Sequence, residues 1–449
     1  MSDTISRRHY LYWGVGLTAL SLVGELGLGL VITDPDLLFN PVTRVLTDDR
    51  GSLDLLYHLL DWGGLSWSFL LLLFWGIPFM WVGATMSVRR AADAGISPWW
   101  GLLFLVPYVR VALMLLLCFL PSSPNPQWHH PAPSGTLPLS VLFRLLMVLT
   151  FVGVLLVVTS VLILKTYGLL LFVAIPFMMG LLVGLYANQH AKIGVWVTLW
   201  LGFVLMAMIH LVLWMVAFEG LLCLSMSFPL CVVLGGIGSL LGRVMARTTH
   251  RHHMGAIVMG VAYPFLALSD AHVLTHRDVV MSQVTIAASP AQVWPHVVQF
   301  PDLPPPQEWP FKSGIAYPLR ARIVGEGVGA IRYCEFSTGP FVEPITVWDQ
   351  PRRLAFNVTQ QPAPMTEWSL YQHVTPPHLD GYFRSVRGEF RLVPLPNGST
   401  RLEGRTWIEL DIHPGWYWQW YARWLIHRIH MQVLTHIKHT TEQGVSDPA

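Results

Sequence analysis

Apolar runs dominate the first 270 positions of the chain, and past His272 the pattern changes to short alternations of apolar and polar residues bounded by Pro and Gly. Runs that cover the roughly 20 residues needed to cross the hydrocarbon core fall at 10–32, 65–87, 98–120, 139–164, 167–186, 194–218 and 220–242, with a shorter one at 254–269 that contains Pro264. Between positions 139 and 242 the charged residues are Arg144, Lys165, Lys192 and Glu219. A soluble bundle would need a polar face there. The pattern predicts membrane helices, with Pro78, Pro107, Pro176 and Pro229 as kink points where neighbouring helices satisfy the freed carbonyls.

From Val279 onward the order reads strand, helix, several strands, long helix. Residues 280–286 form a first strand, and Ser289-Pro290 opens a short helix with Ser289 at the N-cap and Pro290 in the first turn. The proline-rich stretch at 301–310 is a loop, because proline cannot donate to a central ladder. Strands at 319–324 and 330–337 flank Gly325-Glu326-Gly327-Val328-Gly329, which lies between strands and opens no helix, so it reads as a hairpin turn and not a phosphate loop.

The last hairpin allows a sharper statement. With Pro396-Asn397-Gly398 as a three-residue loop and Gly398 left-handed, Arg391 pairs with Glu403 and Glu389 with Arg405. The other face then carries Val386, Phe390, Leu392, Leu402, Thr406, Ile408 and Leu410. A two-residue loop would mix the faces, so this register is favoured and the charged face is expected to be solvated. Residues 416–443 continue as a long helix whose apolar arc holds Trp420, Trp424, Ile426, Ile429, Met431, Val433, Leu434 and Ile437. His427 and His430 fall inside that arc, as ligands, an acid-base pair or hydrogen-bonded core residues.

Composition agrees with the pattern. Of 449 residues, 53% are hydrophobic and 12% charged, against about 25% charged for an average soluble chain. The net charge of +2 and the lack of a dense basic tract exclude a nucleic-acid surface. Cys118, Cys223, Cys231 and Cys334 form no CxxC pair and three lie in apolar runs, so no metal site, cofactor or disulfide framework is expected. The first run is long and lacks a small-residue cleavage pattern, which makes it a span and not a removed signal.

Glu25, Arg110 and Glu219 lie in or beside the apolar runs, as structural pairs, snorkelling ends or part of an ion path. Arg7, Arg8, Arg89 and Arg90 favour the cytoplasm, whereas Asp34, Asp36, Asp48 and Asp49 favour the outside. Eight spans return the C-terminal domain to the cytoplasm but leave Arg243, Arg247 and Arg251 outside. A re-entrant earlier span combined with a non-spanning 254–269 segment removes that conflict. The expected location is the bacterial inner membrane, multi-pass, with the soluble domain in the cytoplasm.

Two segments resemble known families. Arg89-Arg90-Ala91-Ala92-Asp93-Ala94-Gly95-Ile96-Ser97-Pro98-Trp99-Trp100 is similar to the RRLHDxGxSGWW signature of the bacterial membrane family called domain of unknown function 805, with Ala91-Ala92 for Leu-His and Pro98 for Gly. Ser6-Arg7-Arg8-His9-Tyr10 resembles that family's opening motif, and the likeness covers residues 1–126. A second membrane region, 139–270, contains Thr166-Tyr167-Gly168, Pro176-Phe177 and Phe218-Glu219-Gly220-Leu221-Leu222-Cys223-Leu224-Ser225-Met226. These resemble membrane segments that precede a soluble domain in uncharacterised bacterial proteins, with no function implied.

Residues 279–443 resemble the helix-grip superfamily of birch-pollen allergens, START lipid-transfer domains and polyketide cyclases (SRPBCC). The likeness rests on Ala288-Ser289-Pro290-Ala291-Gln292-Val293-Trp294, Gly327 to Ile345, Pro376-Pro377-His378-Leu379 and His427-Arg428-Ile429-His430. The fold class expected is therefore a multi-pass α-helical membrane bundle followed by an α+β helix-grip domain, with a curved antiparallel sheet and a long C-terminal helix. The resemblance implies a cavity between sheet and helix for an apolar or amphipathic ligand.

The function expected is a membrane-tethered module that binds a hydrophobic or amphipathic small molecule, such as a lipid, isoprenoid or polyketide-like compound, with lipid transfer as one such role. Its partners would be the lipid bilayer and that molecule, and no nucleic acid. A cyclase, dehydratase or hydrolase using the same cavity, or a sensor coupled to the bundle, are the alternatives. Trp294, Trp309, Phe311, Trp368, Trp420 and Trp424 are candidates to line or gate the pocket. Arg332 could meet an anionic group, Glu343, Glu367, His378, His427 and His430 could act as acids or bases, and Cys334 could be a nucleophile without an identified base. No GxSxG, HExxH or P-loop signature is present.

Overall fold

The computed structural model of the chain describes residues 5–32, 79, 82–105, 107–123, 137–191, 193–248, 275–371 and 376–446. Most of the 65–87 run and all of the 254–269 run lie outside the described residues. The chain divides into two compact units. The first is Met1–Leu164, Leu169–Val212 and Ser227–Leu268; the second is Lys165–Gly168, Leu213–Met226 and Ser269–Ala449.

Helices α1 (Arg7–Ile32), α2 (Pro107–Phe119), α3 (Leu139–Leu162), α4 (Ile175–His190), α5 (Val195–Met215) and α6 (Leu221–Thr248) supply the apolar runs. Among the described residues, four helices are long and apolar enough to cross a membrane: Leu139–Leu162, Leu170–His190, Val195–Met215 and Leu221–Ala246. The second of these is 83% buried and the others 33–39%, so α4 is the one its neighbours surround. A single π turn, Leu170–Ala174, leads into it just before Pro176. Such a turn accommodates the interruption that proline makes in the hydrogen-bond ladder.

Close packing of α4 depends on small residues. A methyl group added at Gly180 or Gly184 would lie 2.0 Å from the carbonyl oxygens of Gly235 and Ser239 of α6. The helices touch backbone to backbone there, the geometry that small residues four apart permit in membranes.

The run at 98–120 does not cross as expected. It begins with a 3-10 turn at Pro98–Leu105, breaks at Pro107 and returns along α2, so that the Ser123 amide donates to the Asp93 carbonyl at 2.8 Å. Buried Arg90 closes the base of this hairpin, pairing with Asp93 at 2.5 Å and donating to the carbonyls of Leu117 and Leu120. The Arg90–Asp93 pair thus satisfies carbonyls at the end of α2. Arg110 lies on α2, and the Glu25 side chain is outside the described residues.

In the second unit, seven strands form one antiparallel sheet: β1 (His276–Ile286), β2 (Pro318–Val324), β3 (Ile331–Phe336), β4 (Gly339–Asp349), β5 (Arg353–Asn357), β6 (Phe383–Pro394) and β7 (Thr400–Leu410), in the order β1-β7-β6-β5-β4-β3-β2. With α7 (Pro290–Val298), α8 (Trp309–Lys312) and the terminal helix α9 (Gly415–Ser446), this is the helix-grip arrangement. Ser289 and Gln292 form the opening of α7, the Ser289 amide donating to Oε1 of Gln292 at 2.9 Å. Gly325, Gly327 and Gly329 all take positive φ between β2 and β3, which explains three glycines in five residues.

The last hairpin has the predicted register, with Glu389 opposite Arg405 and Arg391 opposite Glu403, and Gly398 at φ 78°. Two details differ from the sequence reading. A bulge at Val386 interrupts β6, and the acidic groups are not solvated: Glu389 and Glu403 are each 5% exposed. Arg353 covers Glu389 at 2.8 Å, while Arg401 and Arg405 cover Glu403 at 3.0 and 2.9 Å. Long arginine stems thus shield the carboxylates while keeping their own heads near water.

Helix α9 meets the sheet in two ways. Leu434 and Ile437 enter the core with Trp294, Leu354 and Leu402. Nearer its start, buried Asp278 of β1 accepts from Arg423 at 2.5 and 2.6 Å and from Gln419 at 2.7 Å. Ser282 of β1 contacts Nδ1 of His427 at 2.8 Å and of His430 at 3.1 Å, and Thr406 of β7 contacts Nε2 of His430 at 2.8 Å. His430 is the polar rivet of this seam, whereas His427 is exposed and outside the expected buried arc.

Two outcomes follow from these contacts. Gly184→Ala should lower the stability of the detergent-solubilised chain by about 1–3 kcal/mol through overpacking, measured by thermal unfolding, whereas Gly194→Ala, with nothing within 4 Å, should leave it unchanged. Burial, with a smaller effect of His427, depresses His430 to about 4 from an ordinary 6.5. Between those values the unfolded chain holds a proton that the folded chain refuses, so this contribution to stability is present above pH 6.5 and is lost as pH falls toward 4. His430→Gln should flatten that part of the pH–stability curve, read by unfolding of the same preparation at each pH.

Candidate functional site

The chemically richest cluster of the second unit forms where three separated stretches meet. Glu219 lies in the turn that precedes α6, and Cys223 sits in the first turn of that helix. The Glu367 carboxylate accepts from the amides of Leu222 and Cys223 at 3.1 and 3.3 Å, taking the place of an N-cap side chain. The neighbouring Leu221 amide donates to the Trp368 carbonyl at 2.8 Å. His378 is carried on the 3-10 turn Pro377–Leu379, whose rigid Pro376-Pro377 approach fixes its direction.

These elements place the His378 ring between two carboxylates. Its Nδ1 lies 3.0 Å from Oε2 of Glu219, and its Nε2 lies 2.8 Å from Sγ of Cys223 and 3.7 Å from Oε1 of Glu367. Tyr167 donates its hydroxyl to the other oxygen of Glu219 at 2.7 Å and sets its ring edge-on to His378, with centroids 5.5 Å apart. Glu219, Glu367 and His378 are all buried. Burial alone would lower His378, but the hydrogen bonds and charges of Glu219 and Glu367 outweigh it and raise the ring to about 9. Glu367 moves oppositely: burial would raise it, and the bonds from His378 and Cys223 hold it below its ordinary value. Tyr167 is raised by burial and by Glu219.

An apolar wall stands beside this polar group. Phe311, Ile315 and Met365 form a buried cluster with Leu222, Cys223, Tyr317, Leu379, Leu425 and Ile429, so α9, α8 and the residues that follow α8 contribute to it. The arrangement joins a thiol, an imidazole and two carboxylates to an apolar surface. It can hold a cation, orient a proton or present a polar anchor to a largely apolar molecule.

The other residues singled out from the sequence fall elsewhere. Arg332, Cys334 and Glu343 meet in the sheet core, where Arg332 pairs with Glu343, donates to the Val298 carbonyl at 3.3 Å and faces the rings of Phe300, Phe356 and Phe390 at 5.2–5.7 Å. The guanidinium is thus already engaged. Burial raises Glu343 and pushes the Cys334 thiol up to about 12, an inert state for a nucleophile. Trp309 is exposed and packs on Trp424 at 5.8 Å, Trp424 also carries the Arg428 guanidinium at 4.8 Å, and Trp420 lies against Tyr421 at 4.7 Å. His427 and His430 belong to the seam between sheet and helix.

Of the residues singled out from the sequence, Glu367 and His378 are brought together in this cluster with Phe311 in its apolar wall, and their partners Tyr167, Glu219 and Cys223 were not anticipated as site residues. A signal did exist, since both Tyr167 and the Glu219-to-Cys223 stretch sit in the two short motifs without assigned function. Nothing local in the sequence links them to position 378.

Comparison with known proteins adds the following. Residues 1–131 match the family model described as Protein of unknown function (DUF805), and residues 277–416 match the one described as Polyketide cyclase / dehydrase and lipid transport. No curated protein matches the chain. Among solved structures, norcoclaurine synthase from Thalictrum flavum is similar at 14% identity over 39% of this chain and 99% of that one, with a TM-score of 0.26. The Zhui aromatase/cyclase from Streptomyces sp. R1128 is similar at 14% identity over 38% and 96%, with a TM-score of 0.26. A protein from Nitrosospira multiformis is similar at 15% identity over 38% and 100%, with a TM-score of 0.25. The chain therefore joins a segment that matches the DUF805 family of unknown function to a domain that matches the polyketide cyclase, dehydrase and lipid transport family.

Proposed function

We propose that the protein is a membrane-seated module that binds a hydrophobic or amphipathic small molecule, a lipid, isoprenoid or polyketide-like compound, with its helix-grip domain held at the bilayer surface. One observation carries the reading. The loop that contains Trp368, Leu370 and Tyr371 exposes all three side chains, and it is fixed to helix ends: the Trp368 carbonyl accepts from Leu221 and the Tyr371 hydroxyl donates to the Met215 carbonyl at 3.2 Å. Exposed aromatic groups level with the ends of apolar helices occupy the headgroup region, where their amphipathic rings are most stable. The family match supports an apolar ligand for the domain. The apolar wall at Phe311, Met365, Leu425 and Ile429 is then close to the phase in which such a ligand dissolves.

The side of the membrane proposed for this domain is the cytoplasmic one that the sequence reading expects. Tyr10 bonds Ser87 at 2.8 Å, Val88 packs with Leu185 and Met245, and Arg243 donates to Asn188 at 2.8 Å and to the Ile193 carbonyl. Arg7, Arg8, Arg89, Arg90 and Arg243 therefore gather at one end of the first unit, the cytoplasmic end by the excess of positive charge.

Purification of the full chain from membranes, followed by mass spectrometry of organic extracts, should recover an apolar compound in defined ratio to protein. Recovery of bulk lipid alone, in the proportions of the membrane, would sink the reading. Glu326→Cys, in the exposed β2–β3 turn, should react with a membrane-impermeant maleimide only after spheroplasts are permeabilised. Reaction above the wild-type background in intact spheroplasts would move the domain to the outer face.

A further inference from the structure

We propose that Cys223, Glu367 and His378 form a binding site for a divalent transition-metal ion of the zinc type, with Glu219 and Tyr167 as its outer shell. This goes beyond the apolar-ligand reading and does not depend on it. The ligand atoms of the three residues lie within 4.8 Å of one another. They offer one sulfur, one oxygen and one nitrogen, a mixed set that suits zinc and excludes magnesium or calcium, which require oxygen donors.

The geometry around His378 supports the assignment. Nε2 faces the thiol and Glu367, while Nδ1 faces Glu219 at 3.0 Å, and Glu219 is itself held by Tyr167. Metal-bound histidines are oriented in this manner, one nitrogen on the metal and the other on a carboxylate that fixes the ring. Around a tetrahedral ion with bonds of about 2.0–2.3 Å, neighbouring donor atoms stand roughly 3.4–3.6 Å apart. The 3.7 Å between Nε2 and Glu367 is already of that size, and the 2.8 Å between Nε2 and Sγ opens to it by a small rotation of the cysteine.

The electrostatics point the same way. Two buried carboxylates and a thiol surround a single imidazole, so the site carries more acceptors than positive charge. A divalent cation balances that excess where water cannot. Three protein ligands leave the fourth tetrahedral position open. Sites with that opening admit a water or a polar group of a ligand.

The test uses untagged full-length protein in detergent, first freed of metal by a chelator and then titrated with cobalt(II) and zinc(II). One equivalent of cobalt should bind with a thiolate-to-metal charge-transfer absorption, and zinc should abolish it. Cys223→Ser should lose the absorption although Cys118, Cys231 and Cys334 remain. Glu219→Gln should retain the absorption and weaken the affinity by about 10- to 100-fold, the usual effect of removing an outer-shell carboxylate. Failure of the folded wild-type protein to bind an equivalent of either ion, cobalt binding without the thiolate band, or an unchanged band in Cys223→Ser would each overturn the proposal. Should Cys223→Ser not fold, the wild-type spectrum and the Glu219→Gln affinity decide. Neither readout depends on whether an apolar ligand is recovered.

Discussion

The Glu367 carboxylate closing the first turn of α6 is the contact on which the rest of the site depends. The first amides of any helix lack partners and carry partial positive charge. The two oxygens of a carboxylate supplied from a loop more than 140 residues later satisfy one of them each and so fix Cys223 in direction. His378 then has one place to sit, between the capping carboxylate and Glu219. The space for any side chain at position 220 is removed as well, because a methyl group there would lie 2.0 Å from the Glu367 carboxylate. A helix cap, a buried histidine and a thiol are thus one construction.

The same rule, that a polar group away from water must be met by another, explains the remaining buried charges. Arg90 ends a re-entrant hairpin, Arg332 pairs with Glu343 inside aromatic rings, and Asp278 fastens α9 to β1 through Arg423 and Gln419. Each engages charge whose isolation would cost several kcal/mol. That separates them from the His378 cluster, where two carboxylates and a thiol face one imidazole and a cation has a reason to bind. The residues that looked most catalytic by type, Arg332 and Cys334, belong to the fully matched class.

Much of the architecture was legible because it depends on local periodicity. Long apolar runs give the helices of the first unit, period-two alternation and proline give the strands and loops, and the cross-strand charges with Gly398 give the register of the last hairpin. The 98–120 run shows the limit. Its length suggested a span, but whether an apolar run crosses or returns is decided by what its far end bonds to, here Asp93 and Arg90. The charged face of the last hairpin shows another, since Glu389 is covered by Arg353 from β5, a strand whose place beside β6 cannot be seen in the pattern of either.

What the sequence alone determined is therefore the solvent of each half, the sequence of elements and the likeness of each half to a family, because these follow from hydrophobic pattern and turn chemistry within short windows. What only the tertiary structure decided is the site. Tyr167, Glu219, Cys223, Glu367 and His378 span more than 200 positions, and each is unremarkable in its own surroundings. Their meeting depends on which helix end a loop carboxylate caps and where a 3-10 turn aims a ring, and these are properties of packing that no local pattern encodes.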